Sequence, residues 1–127
     1  MKLEFLPEGS DDCPLIRLYG FGQAEAMRLR EAFRALADGA KRSIPLHEEW
    51  WIEPLDDCQL ELRVSARDLG VVERLPQRFD CSLNEEQWSE MVELMEPFCG
   101  VTQEQNQHQW LNKDSDISLL ISPSGSW

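Results

Sequence analysis

Apolar residues recur along the chain at two spacings, one typical of helices and the other of strands. From Gly22 to Ala40 they recur every three or four positions, and the same spacing returns from Asn84 to Gly100. This period predicts two amphipathic helices, each with one face toward a core. Asn84 and Gln87, three positions apart, predict the start of the second helix as a variant of the capping box.

Elsewhere apolar and polar residues alternate, which predicts strands with one buried and one exposed face. Two helices with narrow apolar faces need a sheet to cover. We therefore expect an α+β fold over residues 1–127 as a single domain: a two-layer sandwich of a mostly antiparallel sheet with both helices on one face. The predicted strands are Lys2–Leu6, Pro14–Gly20, Ser43–Glu53, Leu60–Ser65, Val71–Leu83, His108–Asn112 and Asp116–Ser122. Pro76 either interrupts the strand Val71–Leu83 or lies at a sheet edge, because it has no N–H to donate to a ladder.

The order helix, strand, turn, strand occurs twice, in residues 22–65 and 84–122. Each copy places a histidine ahead of a tryptophan: His47 before Trp51, and His108 before Trp110. This agreement suggests a pseudo-twofold α-β-β repeat. It also predicts that the two pairs emerge on the same side of one sheet. The alternative is that any two units of a helix and a hairpin look alike.

The composition of the 127-residue chain is that of an ordinary globular protein, with 42% hydrophobic and 28% charged residues. No apolar run approaches the roughly 20 residues that a bilayer requires, and Glu4 stands where a signal peptide needs an apolar stretch. We expect a cytoplasmic protein with no membrane segment. The four cysteines form no C-x-x-C pair, which favours free thiols in a reducing compartment.

The formal net charge of -12 argues against general affinity for nucleic acid, which is driven by clustered bases. The charge is uneven: residues 13–45 carry six bases and three acids, whereas residues 79–127 carry nine acids and one base. The second predicted helix has an acidic face of Glu86, Glu90 and Glu93, flanked by Glu85 and Glu96, with no base beside it. Such a face could steer a basic partner by long-range attraction.

Signals of enzymatic chemistry are weak. Gly20-Phe21-Gly22 has the opening of a dinucleotide-binding turn, but Glu25 occupies the third glycine position and its carboxylate would repel phosphate. No nucleophile elbow is present, and no cofactor is predicted. One alternative from another class of function stays open. The protein would bind a small ligand or a metal, as an enzyme or as a simple binding protein, through His47, Glu49 and His108 on the outer sheet face.

The strongest functional signal is the sheet face away from the helices, where aromatic residues, Arg and His are expected together. Such residues are typical of the centres of protein interfaces. We therefore predict a non-enzymatic protein-interaction or regulatory module that binds a protein partner or a second copy of itself. The alternative is that the protein's own tail covers this face, with Trp127 folding back. The candidate residues are Arg17, Tyr19, His47, Glu49, Trp51, His108 and Trp110.

Overall fold

The computed structural model describes residues 1–100, 107–113 and 115–127. The α+β class is confirmed: the described residues form two helices, α1 (Gln23–Ala37) and α2 (Glu85–Leu94), and nine strands. Neither helix is long and apolar enough to cross a membrane. The strands are β1 (Lys2–Leu6), β2 (Leu15–Tyr19), β3 (Ser43–Pro45), β4 (Glu53–Pro54), β5 (Gln59–Val64), β6 (Gly70–Leu75), β7 (Arg78–Leu83), β8 (Gln109–Asn112) and β9 (Ser118–Ser122).

The strands form two mixed sheets instead of one mostly antiparallel sheet. The first has the order β4-β1-β2-β9-β8 and the second β3-β5-β7-β6. Parallel pairs join β1 to β4, β2 to β9 and β5 to β7, while the other neighbours are antiparallel. An isolated bridge between Val71 and Ile117 links the two sheets. Two sheets form instead of one because β9 pairs with β2 and β5 pairs with β7. Both pairs are parallel and join distant parts of the chain, so a local sequence pattern does not predict them.

Each sheet combines a hairpin from one half of the chain with a closing strand from the other half. The hairpin of β1 and β2 receives β9, and the hairpin of β6 and β7 receives β5. In turn β3 pairs with β5, and β8 pairs with β9. If β1, β2, β3 and β5 are matched to β6, β7, β8 and β9 in that order, the two sheets have the same strand order, apart from the extra edge strand β4 of the first sheet. Duplication of an ancestral unit stays a prediction.

The helices pack against each other through aromatic residues of the core. The rings of Phe33 and Trp88 lie 5.5 Å apart, and both side chains are fully buried. The Trp88 indole N–H donates a hydrogen bond to the Arg63 carbonyl at 3.0 Å, so its polar atom is satisfied inside the core. The predicted cap of α2 is present, since the Asn84 side chain accepts a hydrogen bond from the Gln87 backbone N–H at 2.8 Å.

The predicted strand over Ser43–Glu53 is wrong. Only β3 and the two-residue β4 are extended, and a 3-10 turn at Leu46–Glu48 lies between them. Trp51 and Ile52 are both buried, which a two-residue period cannot provide. Proline also limits both short strands, because Pro45 and Pro54 have no N–H to donate to a ladder.

The prediction of a single strand over Val71–Leu83 is wrong, although the chain does break at Pro76. The segment Val71–Leu83 forms a hairpin of β6 and β7, with Gln77 at a φ of +66° in its turn. The second helix also ends earlier than its apolar pattern, at Leu94, and a 3-10 turn over Glu96–Phe98 follows it. Pro97 lies in that turn, where its missing N–H and fixed φ disfavour a continued α-helix.

Candidate protein-interaction site

Four of the predicted surface residues lie on or beside the outer face of the first sheet. Arg17 is opposite Leu120 in the ladder of β2 and β9, and Leu120 is opposite Trp110 in β8, so these side chains share one face. The Arg17 guanidinium lies 4.0 Å from the centre of the Tyr19 ring. It also forms a salt bridge with Glu4 at 2.7 Å.

The tail Pro123–Trp127 covers the centre of this face. The Arg17 side chain donates a hydrogen bond to the Gly125 carbonyl at 3.0 Å, and the Trp127 indole N–H donates one to Asp12 at 3.1 Å. Leu120, which is opposite Arg17 on this face, is fully buried, although it lies outside the main hydrophobic core. The tail therefore occupies the surface that the sequence favoured for a partner, and Arg17 is already engaged within the chain.

His108 and Trp110 lie at the β8 edge of the same sheet. Their rings make an edge contact at 6.5 Å, and His108 is exposed. The Lys113 ammonium lies 4.3 Å from the centre of the Trp110 ring and 3.4 Å from the Asp12 carboxylate. Lys113 is therefore shared between an aromatic ring and a carboxylate at this edge.

His47, Glu49 and Trp51 do not share a strand face, because their segment is not a strand. His47 lies in a 3-10 turn, where its Nδ1 accepts a hydrogen bond from the Leu60 backbone N–H at 3.1 Å. Trp51 is buried, with 8% of its surface exposed, and its carbonyl accepts a hydrogen bond from the Met1 nitrogen at 3.0 Å. The prediction that both His–Trp pairs emerge on one side of one sheet is therefore wrong.

The three candidate metal ligands fall in different places. His47 lines a polar cleft of about 470 Å³ with Asp56, Asp57 and Arg78, whereas Glu49 lines another cleft. The hydrogen bond to Leu60 leaves only Nε2 of His47 for a ligand. Within the described part of the chain, no group of three or more His, Cys, Asp or Glu residues is arranged to hold a metal ion.

An apolar cleft of about 360 Å³ lies between α1 and the segment that follows it. We call it the α1 cleft. Its α1 side comes from the surface that faces away from Leu29 and Phe33, because residues at a spacing of three or four share one side of a helix. The small side chains of Ala32 and Ala35 leave the helix backbone close to the surface there. The lining residues are Met27, Arg28, Glu31, Ala32, Ala35, Lys41, Ile44, Glu49 and Trp51.

Trp50 stands at the edge of the α1 cleft. It is 78% exposed, and the Arg28 guanidinium lies 4.7 Å from its ring centre. Met27, which lines the cleft, is 41% exposed. Alternation along the predicted strand Ser43–Glu53 puts Trp50 on the face opposite to His47, Glu49 and Trp51, so the sequence prediction missed it. The signal available was the pair of prolines, Pro45 and Pro54, which bracket the segment and have no N–H to donate to a ladder.

The charges around the α1 cleft are only partly paired. Arg34 forms a salt bridge with Glu31 at 2.6 Å, which neutralises one acid of the lining. No carboxylate of the described residues lies within salt-bridge distance of Arg28 or Lys41. Two bases thus remain beside the single unpaired acid Glu49.

The acidic face of α2 is exposed, as its sequence predicts. The side chains of Glu86, Glu90 and Glu93 all face solvent. The expectation that no base approaches the flanking acids is wrong for Glu96, because Arg30 of α1 reaches it at 3.0 Å. Arg30 and Glu96 are 66 positions apart, so only the packing of α1 against α2 brings them together.

Comparisons with known proteins identify no relative. A scan against protein-family models, a search of curated proteins and a search of solved structures all found no match to this chain.

Proposed function

We propose that this protein is a non-enzymatic protein-binding module and that its contact surface is the α1 cleft together with Trp50. The observation that carries the proposal is the exposure of Trp50 at the rim of an apolar cleft. Trp, Met and Arg are enriched at the centres of protein interfaces, and here Trp50 contacts Arg28, which lines the cleft together with Met27. A small molecule that filled the cleft would leave Trp50 in water, whereas a protein could cover both.

Burial of Trp50 would contribute substantially to binding. A tryptophan buries about 150–250 Å² on becoming covered, and each Å² of apolar surface contributes about 25 cal/mol. The stacked Arg28 holds the ring in place before binding, so less side-chain entropy would be lost. These properties are those of a hot-spot residue, whose truncation costs about 2 kcal/mol or more of binding energy.

Strand addition at a sheet edge has less support, because all four edge strands are short or irregular. The edges β3 and β4 have three and two residues and each contains a proline. The edge β8 has a register shift, and so does β6, whose exposed end also carries Glu73 and Arg74. Short length, proline, bulges and charge are the features that protect sheet edges from pairing with other chains.

The other predicted modes of binding have weaker support. A small-ligand or metal site built from His47, Glu49 and His108 would need side chains that lie in separate places. The acidic face of α2 stays a prediction for long-range steering of a basic partner.

Photocrosslinking tests the proposal in the full chain. A photoreactive benzoylphenylalanine in place of Trp50 should give a discrete crosslinked product in the cells that make this protein. The same residue in place of Leu75, which is 54% exposed on β6, serves as the matched control and should give none. A product with the mass of two chains would identify a second copy as the partner. Absence of a product at position 50, or equal products at both positions, would contradict the proposal.

A further inference from the structure

We infer that the α1 cleft takes a short amphipathic helix of another protein, with apolar anchors flanked by acidic residues; this inference rests on the proposed function. The length of the cleft supports a helix. Along α1 it extends from Met27 to Ala35, eight positions that span about 12 Å. A helix that binds through anchors at i, i+3 or i+4, and i+7 places them within about 10.5 Å, so the cleft matches about two helical turns.

The walls and floor of the cleft fit the apolar face of such a helix. Met27, Ile44 and Trp51 supply apolar walls, while Ala32 and Ala35 let a second helix approach α1 closely. An extended peptide has less to pair with, because β3 beside the cleft has three residues and ends at Pro45. A helix satisfies its own backbone hydrogen bonds and needs no unpaired strand.

Both ends of the α1 cleft carry a basic residue, which favours a bound helix with acidic residues on both flanks. Arg28 lies at the Met27 end, and Lys41 lies at the other end, where its backbone N–H donates to the Ala35 carbonyl at 3.1 Å. Glu31 between them is already paired with Arg34, so Glu49 is the one acid of the lining that opposes the two bases. The net charge of -12 would repel an acidic segment at long range, but salt screens charges beyond about 8 Å under physiological conditions. Contacts with Arg28 and Lys41 then decide the preference.

Synthetic peptides test this inference by calorimetry on the full chain at physiological salt. The first peptide has about 14 residues, leucines at i, i+3 and i+7, and glutamates on both flanks; the second has lysines in place of the glutamates. We expect the glutamate peptide to bind about fivefold more tightly, since two exposed ion pairs each contribute modestly. A third peptide with a central proline, which breaks the helix, should lose most of this affinity.

A charge reversal in the protein locates the contact. The Lys41→Glu variant should lose the preference for the glutamate peptide, because one of the two cationic ends becomes anionic. Arg67→Glu makes the same charge change at an exposed position outside the cleft and should keep it. Tighter binding of the lysine peptide to the unaltered protein, or an unchanged preference in Lys41→Glu, would overturn the inference.

Failure of this inference can be distinguished from failure of the proposed function. If position 50 crosslinks a protein in cells but none of the three peptides binds, the chain is a binding module whose partner is not an acidic amphipathic helix. Equal binding of the helical and proline-containing peptides would refute the helical partner alone. If both the crosslink and peptide binding are absent, both proposals fall.

Discussion

At the residue scale, Trp50 and Trp51 are neighbours in sequence with opposite environments. Trp51 is 8% exposed and closes one wall of the α1 cleft, whereas Trp50 is 78% exposed and contacts Arg28. The 3-10 turn before them removes the strict alternation of a strand, and the burial of Trp51 leaves Trp50 pointing outward. The same residue type therefore stabilises the fold at one position and is available for binding at the next.

Substitution of each tryptophan by alanine should separate these roles. Trp51→Ala should lower the free energy of unfolding by about 3–5 kcal/mol, because it leaves a cavity in the core. Trp50→Ala should change it by less than about 1 kcal/mol, since the side chain is mostly in water. Urea denaturation measures both changes. A loss for Trp50→Ala as large as that for Trp51→Ala would show that Trp50 is a structural residue.

Two buried thiols give the protein a pH dependence in alkali. Burial raises the pKa of Cys58 and of Cys81 from 9.0 to about 12, with smaller contributions from Glu4 and Asp80 respectively. In the unfolded chain the thiols ionise from about pH 9, while in the folded protein they stay protonated. The unfolded state therefore binds fewer protons in this window, and stability falls as pH rises from about 9 to about 12.

The Cys81→Ala variant isolates this effect. Between about pH 8 and about pH 10.5 the unaltered protein should lose about 2 kcal/mol more of its free energy of unfolding than Cys81→Ala does. Urea denaturation at the two pH values measures both losses, and their difference cancels the other groups that titrate in alkali. Equal losses in the two proteins would mean that the Cys81 thiol ionises alike in both states.

At the scale of elements, the helices and the break at Pro76 follow from local signals, whereas the tail and the segment after α1 do not. Apolar periodicity, the Asn84 cap and Pro76 each act within a few residues: both helices and the cap are confirmed, and the chain breaks at Pro76, although the pairing of β6 with β7 was not predicted. The segment Ser43–Glu53 has an alternating pattern, but the packing of Trp51 overrides it. The cover that the tail forms over Arg17 depends on contacts 108 positions apart.

Gly125 is the residue that lets the tail lie flat on the first sheet. Its φ is +88°, and a Cβ there would lie 3.0 Å from the Arg17 Nη1 and 3.1 Å from the Tyr19 ring. Gly125→Ala should therefore lower the free energy of unfolding by more than the roughly 1 kcal/mol expected for alanine in this conformation. It should also speed hydrogen exchange of the Gly20 amide, which donates to the Pro123 carbonyl.

Gly39→Ala is the matched control for this substitution. Gly39 also has a left-handed φ, +77°, but a Cβ there would meet nothing within 4 Å. It should show the backbone cost alone and leave the exchange of the Gly20 amide unchanged. If Gly125→Ala and Gly39→Ala are equally destabilising, the close approach of the tail to Arg17 and Tyr19 contributes nothing measurable.

At the scale of the whole molecule, the exchange of closing strands makes the two halves depend on each other. The first half contributes β5 to the second sheet, and the second half contributes β9 to the first. The helix contact of Phe33 with Trp88 also joins the halves. Each half lacks the hairpin that its own closing strand joins, so the molecule should unfold as one cooperative unit.

Separation of the chain into residues 1–66 and 67–127 tests this dependence. Each fragment alone should show no cooperative urea transition, because β5 or β9 would expose its unpaired edge and apolar side chains. Mixing the fragments should restore helical circular dichroism and a cooperative transition. A cooperative transition in the fragment 1–66 alone would show that the first half folds independently of strand exchange.

The sequence by itself determined the α+β class, both helices, the break at Pro76 and the acidic surface of α2. These features follow from periodicity, capping and charge within a few residues of each position. Only the tertiary structure decided the division into two sheets, the cover of Arg17 and Tyr19 by the tail, and the exposure of Trp50 beside the α1 cleft. Those depend on contacts between distant segments, whose free energies come from shared burial and are not encoded in any local pattern.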